Sequence, residues 1–265
     1  MISSGQNRVF WALVWFSILI LSLPTLIVVG ASFTAGSIIA FPPDGLSIKW
    51  YEKIALARDL RAAFWRSLQV ALICVAVSVP VGTLAALALT RYRLRLAGAL
   101  QVYLLLPFTI PLIGSGIGMM LVFGEWGILG RIWPVGVACA VINLPFVIWS
   151  VSSSAASLDP DLELAAASCG AGRLETFLHV TLPGVMPGMI TGGLLMFVLA
   201  MTEFLVSLLL TDARIVTLPV LIYNSIRSII TPDLAAVSSV FVALALLAVW
   251  LLDRLVGLEI FLKSK

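Results

Sequence analysis

The sequence predicts an all-α polytopic membrane protein with six transmembrane helices and a polar helical insert between the fourth and fifth. Three observations carry this expectation. The chain has 265 residues, 61% hydrophobic and only 11% charged, with a mean hydropathy of +1.13; soluble domains carry about 25% charged and about 45–50% apolar residues. Its apolar residues come in continuous runs close to the ~20 residues that cross hydrocarbon, without the period-two alternation of a membrane barrel. Between two of these runs lies "DPDLELAAASCGAGRLETFLHVTLPG", Asp159 to Gly184, which is too polar for lipid.

The six runs fall at about 10–32, 66–90, 98–123, 133–152, 187–210 and 235–257, and the insert occupies about 153–186. The whole chain, 1–265, reads as one transmembrane domain. The first run follows "MISSGQNRVF". It is too long for a signal-peptide core and has no small-residue cleavage site, so an uncleaved first span is expected. Pro24, Pro80, Pro107, Pro111 and Pro145 lie inside runs and kink helices in ways that neighbouring helices can compensate. The Gly188–Gly192 pair and the Gly114, Gly116, Gly118 series allow close helix approach, which is ordinary bundle packing. Between the first two runs, "AGSIIAFPPDGLSIKWYEKIALARDLRA" is a Pro/Gly turn followed by an amphipathic segment. Trp50, Tyr51 and Trp65 there suit an interfacial anchor, with a plain solvated loop as the alternative.

Six spans put both termini on one side. The basic residues divide eight against eight between the two faces, so number decides nothing. The short "RYRLR" turn between the second and third runs weighs most, because the positive-inside rule acts through short loops. It places the termini and the insert in the cytoplasm. A net charge of +3 spread along the chain gives no footprint for nucleic acid. Cys74, Cys139 and Cys169 lack metal-ligand spacing and read as small packing residues.

Within the insert, Asp159 is a helix cap with Pro160 at the favoured first position. Asp161 and Glu163 place charge at the positive end of the helix dipole. "LELAAASC" exposes a surface of small residues, and Gly170 is placed to end the helix. A second short helix is expected through "RLETFLHV", broken by Leu182-Pro183, which launches the fifth span. Such an element is either a connector that covers the bundle or a docking knob whose alanines let a partner close on its backbone.

The same residues carry a resemblance. Ala165 and Ala166, then Gly170, then Leu182-Pro183 with the proline thirteen positions after that glycine, resemble the cytoplasmic coupling motif of binding-protein-dependent ABC importer permeases. In that motif Glu-Ala-Ala precedes the glycine; here Leu164 stands directly before the alanines and the acid is one residue earlier, at Glu163. "FPPDGLSIKWYEK", "RSLQVALICVAVSVPVGTLAALALTRYR", "TEFLVSLLLT" and "TLPVLIYNSIRSIITPDLAAVSS" are similar to segments of the spermidine/putrescine-type permeases. The resemblance implies the type I ABC importer permease fold. It implies half of a pore shared with a homologous permease subunit, two ATPase subunits below and a solute-binding protein outside. With no G-x-x-x-x-G-K-[ST] loop in the chain, no cofactor is expected in it, and ATP and Mg fall to the partner ATPases. The implied coupling residues are Glu163, Ala165, Ala166, Gly170, Leu182 and Pro183. Leu164 leaves two readings open. Glu163 supplies the acid from a position rotated by about 100°, or the contact is apolar and Glu163 supports the helix start.

Glu203 is the one acid expected well inside a run. An ionisable group at that depth is a functional hypothesis by default. It either lines the substrate pathway, where a carboxylate attracts a cationic solute, or pairs structurally with an arginine of a loop or of the partner permease, or reaches water near the outer face. Asp212, Arg214 and Arg227 read as solvated loop ends. An intramembrane enzyme is disfavoured because His179, the only histidine, lies in the insert, with no H-E-x-x-H. A secondary transporter or channel would show paired charges or repeated halves, and neither is visible. The expected solute is a polyamine or a related organic amine. Aminophosphonate, opine and ferric iron are alternatives, because specificity rests mostly with the binding protein.

Overall fold

The structure is a computed structural model that describes residues 4–39, 41–91, 97–212, 214–228 and 231–256. The described residues form helices and no strand apart from one isolated bridge between Thr34 and Leu46. Arg93 and Arg95 of the "RYRLR" turn lie outside the described residues. In order, the elements are α1 (Ser4–Ser32), α2 (Lys49–Leu56), α3 (Arg58–Arg91), α4 (Ala97–Thr109), α5 (Leu112–Glu125), α6 (Ile132–Ser157) and α7 (Pro160–Ser168). Then come α8 (Arg173–Thr176), a π turn (Phe177–Thr181), α9 (Leu182–Met201), α10 (Leu205–Leu210), α11 (Leu218–Ser228) and α12 (Pro232–Val256). The chain divides into two compact units, one of residues 1–61 with 222–247, the other of residues 62–221 with 248–265.

Among the described residues four helices are long and apolar enough to cross a membrane: Phe10–Ser32, Arg58–Arg91, Ile132–Ser157 and Arg173–Met201. The run expected at 98–123 is not one helix. It is α4 and α5, bent by 84° where Ile110-Pro111 interrupts the ladder, because the residue before a proline is driven out of the helical region. The run expected at 187–210 is also broken. α9 stops at Met201, and α10 restarts at Leu205 after three non-helical residues. α12 covers most of 235–257, of which residue 257 lies outside the described residues.

In the first unit, the turn after α1 is stapled by α2. Trp50 donates its indole N–H to the Thr34 carbonyl at 2.9 Å. Tyr51 shares a 2.6 Å hydrogen bond with Ser32 and stacks on Phe33 with ring centroids 5.2 Å apart. Lys53 pairs with Asp233 at 2.7 Å. The two aromatics expected as interfacial anchors therefore spend their polar tips inside the protein, while Trp65 stays exposed on α3. The apolar window of α1 buries none of its residues within the chain, which leaves that surface for lipid or another subunit.

The second unit is built around α6 and α9. A Cβ on Gly188 would lie 2.6 Å from the Ser150 carbonyl oxygen, and one on Gly192 would lie 3.2 Å from Val147 Cα. The two backbones therefore touch, as the small-residue spacing expects. In the Gly114, Gly116, Gly118 series only Gly116 meets a close neighbour, Leu209 of α10, 2.6 Å from its would-be Cβ. That contact seats α5 on α10. The Gly130 N–H donates to the Leu210 carbonyl at 3.1 Å and ties the following loop to the same end.

Candidate functional site

The insert folds as its residue types dictate up to Gly170 and differs after it. Asp159 caps α7 by accepting the Asp161 N–H at 3.0 Å, with Pro160 as the first helical residue. At the other end the Gly170 N–H donates to the Ala167 carbonyl and the Ala171 N–H to the Ala166 carbonyl, both at 3.0 Å. This pair of bonds is the Schellman arrangement, which needs a left-handed residue between them. Gly170 has φ +89°, and a Cβ there would meet nothing within 4 Å. Glycine is required by backbone conformation, not by space.

After this cap the chain does not form a separate short helix broken by Leu182-Pro183. The Gly172 N–H donates to Glu175 Oε2 at 2.9 Å and starts a helix that runs from Arg173 to Met201, 29 residues without interruption. The reason lies in the π turn. The Leu182 N–H reaches back to the Phe177 carbonyl, five residues instead of four, and this widened turn makes room for the Pro183 ring. Leu182-Pro183 thus stands in the first turn of α9, where proline is tolerated.

α7 presents its side chains unevenly. Leu164 is 64% exposed and Ala165 is exposed, while Ala166 is half-buried. The neighbouring Glu163 turns the other way. Its Oε1 accepts the Thr181 hydroxyl at 2.8 Å and faces Arg91 Nη2 at 3.5 Å. Arg91, the last residue of α3, also donates Nη2 to the Leu158 carbonyl at 3.3 Å, a free acceptor at the C-terminal end of α6. Beside these groups a cavity of about 660 Å³ is walled by Leu84, Leu87, Ala167, Arg173 and Phe177. The structure therefore gathers Glu163, Ala165 and Ala166 on one helix, with Gly170 in the cap that ends it. It joins them to the Leu182-Pro183 start of α9 through Thr181.

Arg91 and Thr181 were not among the expected site residues. Arg91 was counted only as one charge near a short turn, and Thr181 carries no motif. They stand 72 and 18 positions from Glu163, distances at which no local pattern links side chains. His179 lies on the exposed side of the π turn, its Nδ1 3.0 Å from the Glu175 carbonyl.

Glu203 sits in the break between α9 and α10, not inside a helix, and is half-buried. Its Oε1 accepts the Val206 N–H at 3.1 Å, one of the donors that a helix start leaves free. No basic side chain among the described residues forms an ion pair with it. Asp212 is spent locally, accepting the N–H groups of Arg214 and Ile215 at 2.9 Å each.

The family described as "Binding-protein-dependent transport system inner membrane component" matches residues 78–258. The spermidine/putrescine permease PotC of Escherichia coli K12 is 28% identical over 229 residues, 86% of this chain and 86% of its own length. The putrescine permease PotI of the same organism is 26% identical over 82% of this chain and 79% of its own length. The molybdenum permease ModB of Mycobacterium tuberculosis H37Rv is 32% identical over 67% of this chain and 71% of its own length. Among solved structures, a bacterial ABC transporter that imports alginate superposes with a TM-score of 0.73 at 16% identity, covering 96% of this chain and 99% of that one. The inward-facing MetNI methionine transporter gives 0.61 at 18% identity, covering 78% and 96%. These two likenesses show a shared fold. With a family match over more than half of its length, the chain belongs to the binding-protein-dependent inner membrane components, the multi-pass permeases of ABC importers.

Proposed function

We propose that this chain is the six-span permease subunit of an ATP-driven importer for a polyamine or a similar small organic cation. It forms half of a pore with a homologous subunit and receives its solute from a solute-binding protein. The broken pairs α4–α5 and α9–α10 each count as one span, and α12 is the sixth. Both termini and the insert face the cytoplasm. There α7 docks on an ATPase subunit that holds ATP and Mg, while this chain holds neither. The observation that carries the reading is α7 itself. It is capped at both ends by its own residues and presents Leu162, Leu164 and Ala165 outward, exposed among the described residues. A rigid helix with an uncovered apolar face outside the spans is suited to a partner's groove.

The coupling set is Glu163, Ala165, Ala166, Gly170, Leu182 and Pro183, with Glu163 turned toward Thr181 and Arg91. Ala165 and Ala166 let the partner approach the backbone of α7. Gly170 and Leu182-Pro183 shape the two ends of the elbow.

Glu203 supports a cationic solute. It is a half-buried carboxylate at a helix break, without a basic partner among the described residues, and broken helices in transporters bring unpaired backbone groups to the pathway. The similarity to ModB favours a second reading, an oxyanion solute, for which a carboxylate in the pathway is repulsive. Uptake by the complete importer in proteoliposomes separates them. ATP-dependent uptake of putrescine or spermidine, absent without the ATPase subunits, is the expected result. ATP-dependent uptake of molybdate in its place overturns the polyamine reading, and uptake without the ATPase overturns the importer reading.

A further inference from the structure

α7 is held to the rest of the protein by very little apolar packing. None of its residues is fully buried, and short non-helical links flank it at Leu158–Asp159 and Cys169–Gly172. A helix so poorly packed swivels on its links unless something else fixes it. Among the described residues, Glu163 makes the side-chain hydrogen bond and the ion pair that tie α7 to other helices. Through Oε1 this carboxylate reaches the hydroxyl of Thr181, at the last position before α9, at 2.8 Å. The same atom faces Arg91, at the last position of α3, at 3.5 Å. Arg91 in turn holds the Leu158 carbonyl at the end of α6 at 3.3 Å. The side chains of Arg91 and Glu163 are 19% and 26% exposed, and Leu84, Leu87 and Phe177 line the space beside them. Screening by water is therefore weaker than at an open surface.

We propose that Glu163 is a positioning residue: with Arg91 and Thr181 it clamps α7 to the ends of α3 and α9. A displacement of α7 by the ATPase then passes to those spans and is not absorbed in the links. This rests on the importer reading above and adds to it that the acid of this motif works inside the subunit, while Leu164 faces the partner. Glu163 and Leu164 are adjacent and diverge by about 100° on the helix, so one residue cannot serve both purposes.

The test uses the complete importer in proteoliposomes and reads ATP hydrolysed per putrescine or molybdate imported, whichever the wild type takes up, together with the amount of ATPase that copurifies. Glu163→Gln and Arg91→Gln are each expected to raise the ATP cost per solute by about threefold or more, with the ATPase retained. The double variant is expected to be no worse than the more affected single one, the signature of two residues acting as a unit. Thr181→Val keeps the side-chain shape and loses only the hydroxyl, and it is expected to move the ratio in the same direction. It carries the test if a charge variant fails to insert. An unchanged ratio in these variants overturns the clamp, as do additive costs for the two charge variants. Loss of the ATPase in Glu163→Gln but not in Arg91→Gln also overturns it, because the carboxylate then contacts the partner. A wild-type complex without ATP-driven uptake overturns the importer reading and the clamp together. Coupled wild-type uptake with unaffected variants overturns the clamp alone.

Discussion

Gly188 of α9 lies against Val151 of α6 so closely that a Cβ on the glycine would stand 2.9 Å from Val151 Cα. Backbone atoms cannot yield as a flexible side chain can, so the two helices must separate to admit a larger residue. Gly188→Val is expected to destabilise the protein by about 1–3 kcal/mol, the usual range for overpacking, measured as loss of resistance to denaturant in detergent. Gly118→Val, at a position with nothing within 4 Å, is the control and should change little.

The cap of α7 makes a conformational prediction. Because Gly170 is constrained by its φ of +89° and not by neighbours, the harm of a substitution should follow left-handed propensity and not side-chain size. Asn tolerates that region best after glycine, and β-branched residues worst. Coupled uptake should therefore fall in the order glycine, Gly170→Asn, Gly170→Ala, Gly170→Val. The Ala step is expected to cost about 1–2 kcal/mol of cap stability. Uptake that tracked residue volume would assign Gly170 to a packed contact instead.

Leu164 is where an apolar contact with the ATPase is expected. Full burial of a leucine side chain is worth about 1.5–3 kcal/mol. Leu164→Ala should then weaken ATPase binding to the nanodisc-embedded permease by about tenfold or more. Leu164→Glu, which restores the acid that the related motif carries at this position, should weaken it as well if the partner's groove is apolar. Tighter binding of the Glu variant would show instead a basic residue waiting in that groove.

Glu203 gives the most direct test of the solute. Glu203→Gln keeps an oxygen that can accept the Val206 N–H and removes only the charge. Uptake of a dicationic solute is expected to fall about tenfold, while binding-protein-stimulated ATP hydrolysis continues. Equal uptake by the two proteins would leave Glu203 as a cap for α10 and nothing more.

The positions of the helices were legible in the sequence wherever hydrophobic length decides. α1, α3 and α6 lie where the apolar runs place them, with α3 extending back to Arg58 and α6 forward to Ser157. Asp159, Pro160 and Gly170 marked the ends of α7 because capping is local chemistry. The breaks were less legible. Pro111 carried a signal for the bend between α4 and α5, whereas the interruption at Thr202–Phe204 has no proline or glycine to announce it. Leu182-Pro183 misled, because a π turn that accommodates a proline depends on hydrogen bonds that no residue spacing encodes. The partners of Glu163 were invisible for a different reason: Arg91 and Thr181 come from other helices, and only the tertiary fold brings them together.

The uninterrupted helix from Arg173 to Met201 has a mechanical consequence. Its 29 residues, at about 1.5 Å each, span about 44 Å, well beyond the ~30 Å of hydrocarbon. One end carries the elbow with α7, and Glu203 follows directly on the other. A rod that moves as one body tilts at both ends together. A tilt of about 10° around its middle swings each tip by roughly 4 Å in opposite directions, on a half-length of about 22 Å. On the reading proposed above, a push on α7 and a shift of Glu203 are two ends of a single rotation.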